Sequence, residues 1–356
     1  NQVKWILISF GLGSIVGSWL GGKLSDKIGF YKIMIFSLLT SGIAFFGLQF
    51  VTSFEGLLVA MFFIMVVADM FRPAMFVSLG AYAKPENRTR ALTLVRLAIN
   101  LGFAAGPALG GLLIMTVGYK GLFWVDGATC ILAILIFWIK VKEKKKSKYT
   151  DKEHPGEILT HSVFKDRPFW IFLGATLITG ILFFQLFTTI PLYHKEQFNL
   201  SELQTGLLLT LNGVLIFFLE MPIVSYIERH KINKLKVITL GCLAMAISMY
   251  LLLVNQWAGI LIIMMLFMTF GEMFVFPFSN SFAMSRASKG HEGRYMAIFT
   301  MSYSTAHILS AEAGMDMIRL FSYQNNWFFM GTLGIIGVLL FIWVIKLVQK
   351  EPVREL

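Results

Sequence analysis

The chain has 356 residues, 56% of them hydrophobic and only 14% charged, with a mean hydropathy of +0.71 and a formal charge of +11. So apolar a composition excludes a water-soluble globular domain of this length, whose surface needs more charge. The basic excess lies in short groups between apolar stretches, which excludes a continuous nucleic-acid-binding face.

A bilayer core about 30 Å thick takes roughly 20 apolar residues in helical form. In chain order, the stretches that meet this are 5–23, 32–51, 56–80, 90–117, 121–140, 168–190, 205–227, 235–254, 257–283, 294–320 and 326–347. They are long and lack the alternation of barrel strands, so each is predicted as a membrane-spanning helix. Assigning 21–32 to the cytoplasm and alternating sides from there puts 25 of the 31 Lys and Arg residues on the cytoplasmic side. That bias is the topology signal of a multi-pass membrane protein, with contact to anionic lipid as a by-product. Cys130 and Cys242 fall within apolar spans, far apart and without metal-ligand spacing, and read as small fillers.

The polar run at 141–166 divides five spans from six and reads as a basic cytoplasmic linker with room for a short amphipathic helix. The expected domains are 1–140 and 167–350. A shift of 202 residues lays 2–33 over 204–235 without a gap, pairing Gly11 with Gly213, Asp26 with Glu228 and Lys32 with Lys234. Shifts of 203 to 204 pair Asp69 with Glu272, Arg90 with Arg294 and Gly110 with Gly314. Parallel halves of this kind are one of the two repeat plans of secondary transporters. The helix at 168–190 then lacks a counterpart, so the full-length protein is expected to have twelve helices, the first before residue 1.

The turn GGKLSDKIGFYK (21–32) matches G-x-L-x-D-x-x-G-x-x-K through Gly22, Leu24, Asp26, Gly29 and Lys32. With this motif, the helix count and the repeat, the chain resembles the major facilitator superfamily. The implied fold is all-α, an integral membrane protein of two parallel-repeat six-helix bundles with eleven of twelve spans in this sequence. By the same resemblance, Asp26 is expected to cap a neighbouring helix N-terminus or pair with Arg90. Glu228, with Arg229 and Arg294, would form a weaker copy, and Glu86 with Arg90 a relay. Together these would gate the cytoplasmic side. Gly13, Gly17 and Gly21 form a small-residue stripe that predicts close helix packing. The near match of 17–24 to a phosphate-binding loop fails, because Leu24 replaces the magnesium-binding hydroxyl and no strand precedes it.

GFAAGPALGG (102–111) matches g-x-x-x-G-P-x-x-G-G through Gly102, Gly106, Pro107, Gly110 and Gly111. It resembles the signature of proton-exchanging exporters, in which the glycines would admit a neighbouring helix and the proline would kink the span. The Arg72–Pro73 pair and FGEMFVFP around Glu272 are instead similar to proton-dependent oligopeptide importers. The superfamily's arginine motif early in the fourth helix is replaced by LLVAMFFIMV (57–66).

A charge at the bilayer centre costs at least about 2.5–3.5 kcal/mol, so each one is a functional candidate. Asp69, Glu220, Glu272 and His307 are placed near the midplane as proton-coupling candidates, with Arg72 and Arg96 nearer the cytoplasm. Asp69 and Arg72, three apart, can form a static ion pair. Glu272 has no basic residue nearby on its own helix. Unless another helix supplies one, burial would favour its protonated form. Asn100, Gln185 and Tyr303 are candidate cavity residues, together with Phe183, Phe184, Phe217 and Phe218.

The resulting expectation is a proton-coupled transporter working by alternating access, most like a small-molecule or multidrug efflux antiporter. Import of oligopeptides or other small solutes is the alternative, and a non-transporting sensor a minor one. No enzyme motif, metal cluster or cofactor is expected, the proton gradient serving as energy source. The expected partners are the lipid bilayer, a small-molecule substrate and protons, not nucleic acid. The protein is expected to act as a monomer in the cell (inner) membrane, with both full-length termini cytoplasmic.

Overall fold

A computed structural model describes residues 2–83, 87–144, 163–254, 256–287 and 292–351. The expected linker falls mostly outside these residues, as does Glu86 of the relay. The described chain is helical, without strands. In order it forms α1 (Gln2–Ile28), α2 (Phe30–Leu48), α3 (Phe54–Ala68), α4 (Phe71–Tyr82), α5 (Arg88–Val117) and α6 (Tyr119–Lys140). There follow α7 (Arg167–Phe184), α8 (Ile190–Phe198), α9 (Glu202–Arg229), α10 (Lys234–Leu251), α11 (Ile260–Arg286), α12 (Glu292–Leu320) and α13 (Tyr323–Gln349). Among the described residues, eight spans are long and apolar enough to cross a membrane, α3 and α4 counting as one. Helices α1, α5 and α12 are as long, with 27, 30 and 29 residues.

Side-chain caps set several starts. Ser53, Asp166, Asn233 and Ser322 each accept a hydrogen bond from a backbone N–H in the first turn of α3, α7, α10 and α13. Ser201 and Gln204 cap each other reciprocally at α9. Gly29, at φ +98°, makes the turn from α1 to α2, a conformation that disfavours any side chain.

Two spans expected to be continuous are broken. The stretch 56–80 divides into α3 and α4 at Asp69 and Met70, and α7 passes through a turn at 185–189 before α8. Proline explains both: Pro73 has no N–H for the Asp69 carbonyl, and Pro191 has none for Phe187.

By packing, the chain falls into two compact units. One comprises Asn1–Arg88, Ala105–Lys165 and Ala283–Ser304. The other comprises Thr89–Ala104, Asp166–Phe282 and Thr305–Leu356. In the first, α1 lies along α2, α3 and α4, and α2 along α6. In the second, α10 lies along α13, the same pairing as α2 with α6 one repeat later, and α7 packs on both.

Glycines let these helices touch. A Cβ on Gly13, Gly17 or Gly21 would run into the backbone carbonyls of Phe62, Val66 and Met70, the last at 2.5 Å. The small-residue stripe therefore seats α1 on the α3 span. Gly42 and Gly127 do the same for α2 and α6, and Gly241 and Gly271 for α10 and α11. Cys242 is fully buried, its thiol 3.5 Å from the Gly334 carbonyl, as expected of a small filler.

Candidate functional site: one arginine between two buried carboxylates

In the second unit, α5 delivers Arg96 to two carboxylates. Its Nε donates to Glu220 Oε1 on α9 at 2.6 Å, and its Nη2 donates to Glu272 Oε1 on α11 at 3.3 Å. The Glu220 side chain is 0% exposed, that of Glu272 3% and that of Arg96 14%. Asn212 Nδ2 donates to Glu272 Oε2 at 3.0 Å and to Thr269 Oγ1 at 2.9 Å. The guanidinium also lies over the Phe276 ring, 4.8 Å from its centroid.

The charge count is the chemical point. Among the described residues, two ionised carboxylates and one guanidinium leave a net negative charge in a buried site, where unbalanced charge is costly. One proton, or one cationic group, balances it. Glu220 Oε2 has no hydrogen-bond partner, and neither has Asn100 Nδ2, one turn beyond Arg96 on α5. The site thus holds a spare acceptor, and the same face of α5 a spare donor.

The partner that Glu272 lacks on its own helix therefore comes from α5, and Glu220 shares it. Sequence spacing identified all three residues but not their meeting. Asn212, Thr269 and Phe276 were missed; a lone amide inside an apolar span was the available signal for Asn212.

Asp69 is balanced differently. In the first unit it takes Arg72 Nε at 3.2 Å and the hydroxyl of Ser14, which in turn lies 2.7 Å from the Ser304 hydroxyl. One carboxylate faces one guanidinium here, the ion pair allowed by their spacing. Asp69 precedes Pro73 by four residues, across the break between α3 and α4, and Glu272 precedes Pro277 by five within α11.

His307 packs edge-on against Phe184, at 4.8 Å between ring centroids. A ladder of rings, Phe184, Phe183 and Phe276, connects it to Arg96. Gln185, expected at a cavity, is instead fully buried in the turn after α7. Its amide donates to the Ser310 hydroxyl at 2.8 Å and carbonyl at 3.0 Å, and its oxygen accepts from Thr189. It ties α7 to α12, and both ends of the amide are engaged. Tyr303 packs against Phe299.

The turn motif is built largely as the sequence implied. Asp26 accepts from the backbone N–H groups of Gly293 and Arg294, both at 3.0 Å, and so caps α12, one of its two expected partners. Gly22 lies against Gly293, whose carbonyl a Cβ there would meet at 2.5 Å. Lys32 is exposed. The second copy differs from expectation: Glu228 pairs with Arg90, at 3.4 Å, rather than with Arg294, whose backbone N–H serves Asp26. Asp26→Ala is expected to lower thermal stability by about 1 kcal/mol, the usual worth of a helix cap. Asp26→Asn should recover most of that; equal losses in thermal unfolding would refute the cap.

Gly102, Gly106 and Gly110 do not make the close helix contact that their motif implies. A Cβ on Gly102 or Gly106 would meet nothing within 4 Å, and one on Gly110 only the tip of Leu122 at 3.7 Å. No close helix crossing is therefore made at Gly102 or Gly106 in this conformation. The side chain of Pro107 and the surroundings of Gly111 lie outside the described residues, while α5 runs through both positions.

Comparison with known proteins agrees with this architecture. The sequence profile of the Major Facilitator Superfamily matches residues 1–311. The chain is 22% identical to a "Na(+), Li(+), K(+)/H(+) antiporter" of Planococcus maritimus, over 99% of this chain and 89% of that one. It is 24% identical to "Quinolone resistance protein NorA" of Staphylococcus aureus, over 60% of this chain and 55% of that one. The crystal structure of the human organic anion transporter MFSD10 superposes with a TM-score of 0.79 at 17% identity, covering 95% of this chain and 83% of that one.

Proposed function

Because the chain belongs to the Major Facilitator Superfamily and is therefore a multi-pass membrane transporter, we propose that it is a proton-coupled antiporter that exports a small molecule by alternating access. The observation that carries this reading is the surplus carboxylate of the Arg96 cluster. Glu220, at 2.6 Å, stays paired with Arg96, while Glu272, held at 3.3 Å, takes up and releases the proton. Binding of a proton and binding of a substrate then favour different states of the carrier, which couples their movements. Asp69, already balanced by Arg72, holds helices together instead. The two named relatives, one an alkali-cation/proton antiporter and one a quinolone resistance protein, support exchange and efflux as the direction. The protein acts as a monomer in the cell membrane, with cytoplasmic termini and no partner beyond lipid, substrate and protons.

Everted membrane vesicles with a preformed proton gradient test this. Acridine-orange fluorescence should recover when Na+, K+, ethidium or a fluoroquinolone is added, and Glu272→Gln should abolish the recovery. Proton-driven accumulation of a labelled dipeptide without such recovery would establish the import reading. Absence of both, with no counterflow of any probe, would mark a sensor.

A further inference from the structure

The two repeats differ at one place where the overlay makes them directly comparable. In the first unit, Phe30, Met34, Met70 and Ala74 form a closed cluster, with Leu20, Leu24 and Phe71 packed against it. Phe30 is 2% exposed there. The 202-residue shift lays Leu20, Leu24 and Phe30 on Pro222, Tyr226 and Ile232, and a shift of 203 lays Phe71 on Phe274. Those four residues, with Val237 and Leu240, line an open apolar groove of about 560 Å³ in the second unit. Ile232, in the place of Phe30, is 40% exposed. The plug of the first unit has been trimmed to a smaller side chain, and its space is open.

The groove has a charged end. Tyr226 stacks on His230 one turn later, with ring centroids 4.1 Å apart and His230 Nδ1 2.9 Å from the Tyr226 carbonyl. Leu240 has Lys236 one turn before it on the same face of α10. The connecting turn carries Arg229 and Lys231, the latter in the left-handed conformation at φ 52°. Arg229, His230, Lys231 and Lys236 are all exposed. The carboxylate at the end of α9, Glu228, pairs with Arg90 at 3.4 Å, and Lys234 donates to the Ser281 hydroxyl at 2.8 Å. Among the described residues, the remaining positive charge has no carboxylate partner, and it stands beside an oily slot, on the side the basic bias assigns to the cytoplasm.

We propose that this groove is a binding site for an anionic phospholipid. An acyl chain occupies the slot between α9 and α10, and the phosphate rests on Lys231 and Lys236. The volume falls within the roughly 300–1,000 Å³ of small-ligand pockets, and basic pockets between spans on the cytoplasmic side suit acidic headgroups. The site is independent of the Arg96 cluster, so it stands or falls apart from the transport reading.

Native mass spectrometry of the delipidated full chain, supplied with equal amounts of phosphatidylglycerol and phosphatidylcholine, tests it. The wild type should retain phosphatidylglycerol at least fivefold over phosphatidylcholine. Ile232→Phe, which restores the plug of the first unit, should lose at least fivefold of the retained phosphatidylglycerol. Lys231→Asn with Lys236→Gln should keep a bound lipid but lose the preference, and this variant decides the matter if Ile232→Phe does not fold. Unchanged retention in folded Ile232→Phe, or an unchanged preference in the double variant, overturns the proposal.

Discussion

Arg96→Ala is expected to abolish transport and to destabilise the second unit strongly. Removing one member of a buried ion pair costs about 3–5 kcal/mol, because the partner charge stays behind. Here two buried carboxylates, Glu220 and Glu272, would be stranded. Glu272→Gln should do the reverse for stability. It removes the surplus charge, leaves Glu220 paired with Arg96, and keeps an amide that can still bond Asn212. Its melting temperature in detergent should equal or exceed that of the wild type, while proton-linked exchange is lost. Glu220→Gln is the harsher change of the two, since it removes the 2.6 Å partner. A wild-type melting temperature for Arg96→Ala would mean that the cluster contributes nothing to folding.

Gly17→Leu is expected to be the most damaging of the single glycine substitutions. The added Cβ meets the Val66 carbonyl carbon at 2.9 Å and the Met65 carbonyl oxygen at 3.0 Å, all backbone that has nowhere to go. Overpacking a tight contact usually costs about 1–3 kcal/mol, and separating α1 from α3 along the stripe would add to that. Loss of folded protein in fluorescence-detected size-exclusion chromatography is the expected readout. Gly102→Ala is the contrast. Its Cβ meets open space, and alanine is favoured over glycine in a helix by about 1 kcal/mol. It should fold at least as well as the wild type. If it folds and yet fails to transport, the glycine is needed in a conformation other than this one.

Much of this arrangement is legible in the chain itself. Long apolar runs fix the helices because a bilayer leaves the backbone no other partner. The Gly13, Gly17 and Gly21 spacing identified the contact face of α1, since small residues four apart share one side of a helix. The charged residues worth attention also stood out, because polarity in an apolar span has a cost that must be met. What the chain order hid was pairing. Nothing local says that Arg96, 124 and 176 residues away, serves both Glu220 and Glu272. Nor does it say that Glu228 turns to Arg90 while Asp26 takes the start of α12. The two breaks, at Asp69–Met70 and after Phe184, were readable from Pro73 and Pro191 but were obscured by unbroken hydropathy. Gln185 misled for a related reason. A polar residue amid phenylalanines resembles a cavity lining, yet its amide is spent on Ser310 of α12 and on Thr189 in the turn after α7.

The central claim is that Glu272 carries the proton of the Arg96 cluster. Infrared difference spectroscopy of the purified protein, recorded as the pH is lowered, measures this directly through the carbonyl stretch of a buried protonated carboxyl group. A single such band should appear in the wild type, persist in Asp69→Asn and be missing in Glu272→Gln. A band that survives in Glu272→Gln and vanishes in Asp69→Asn would place the proton in the other unit and contradict the account.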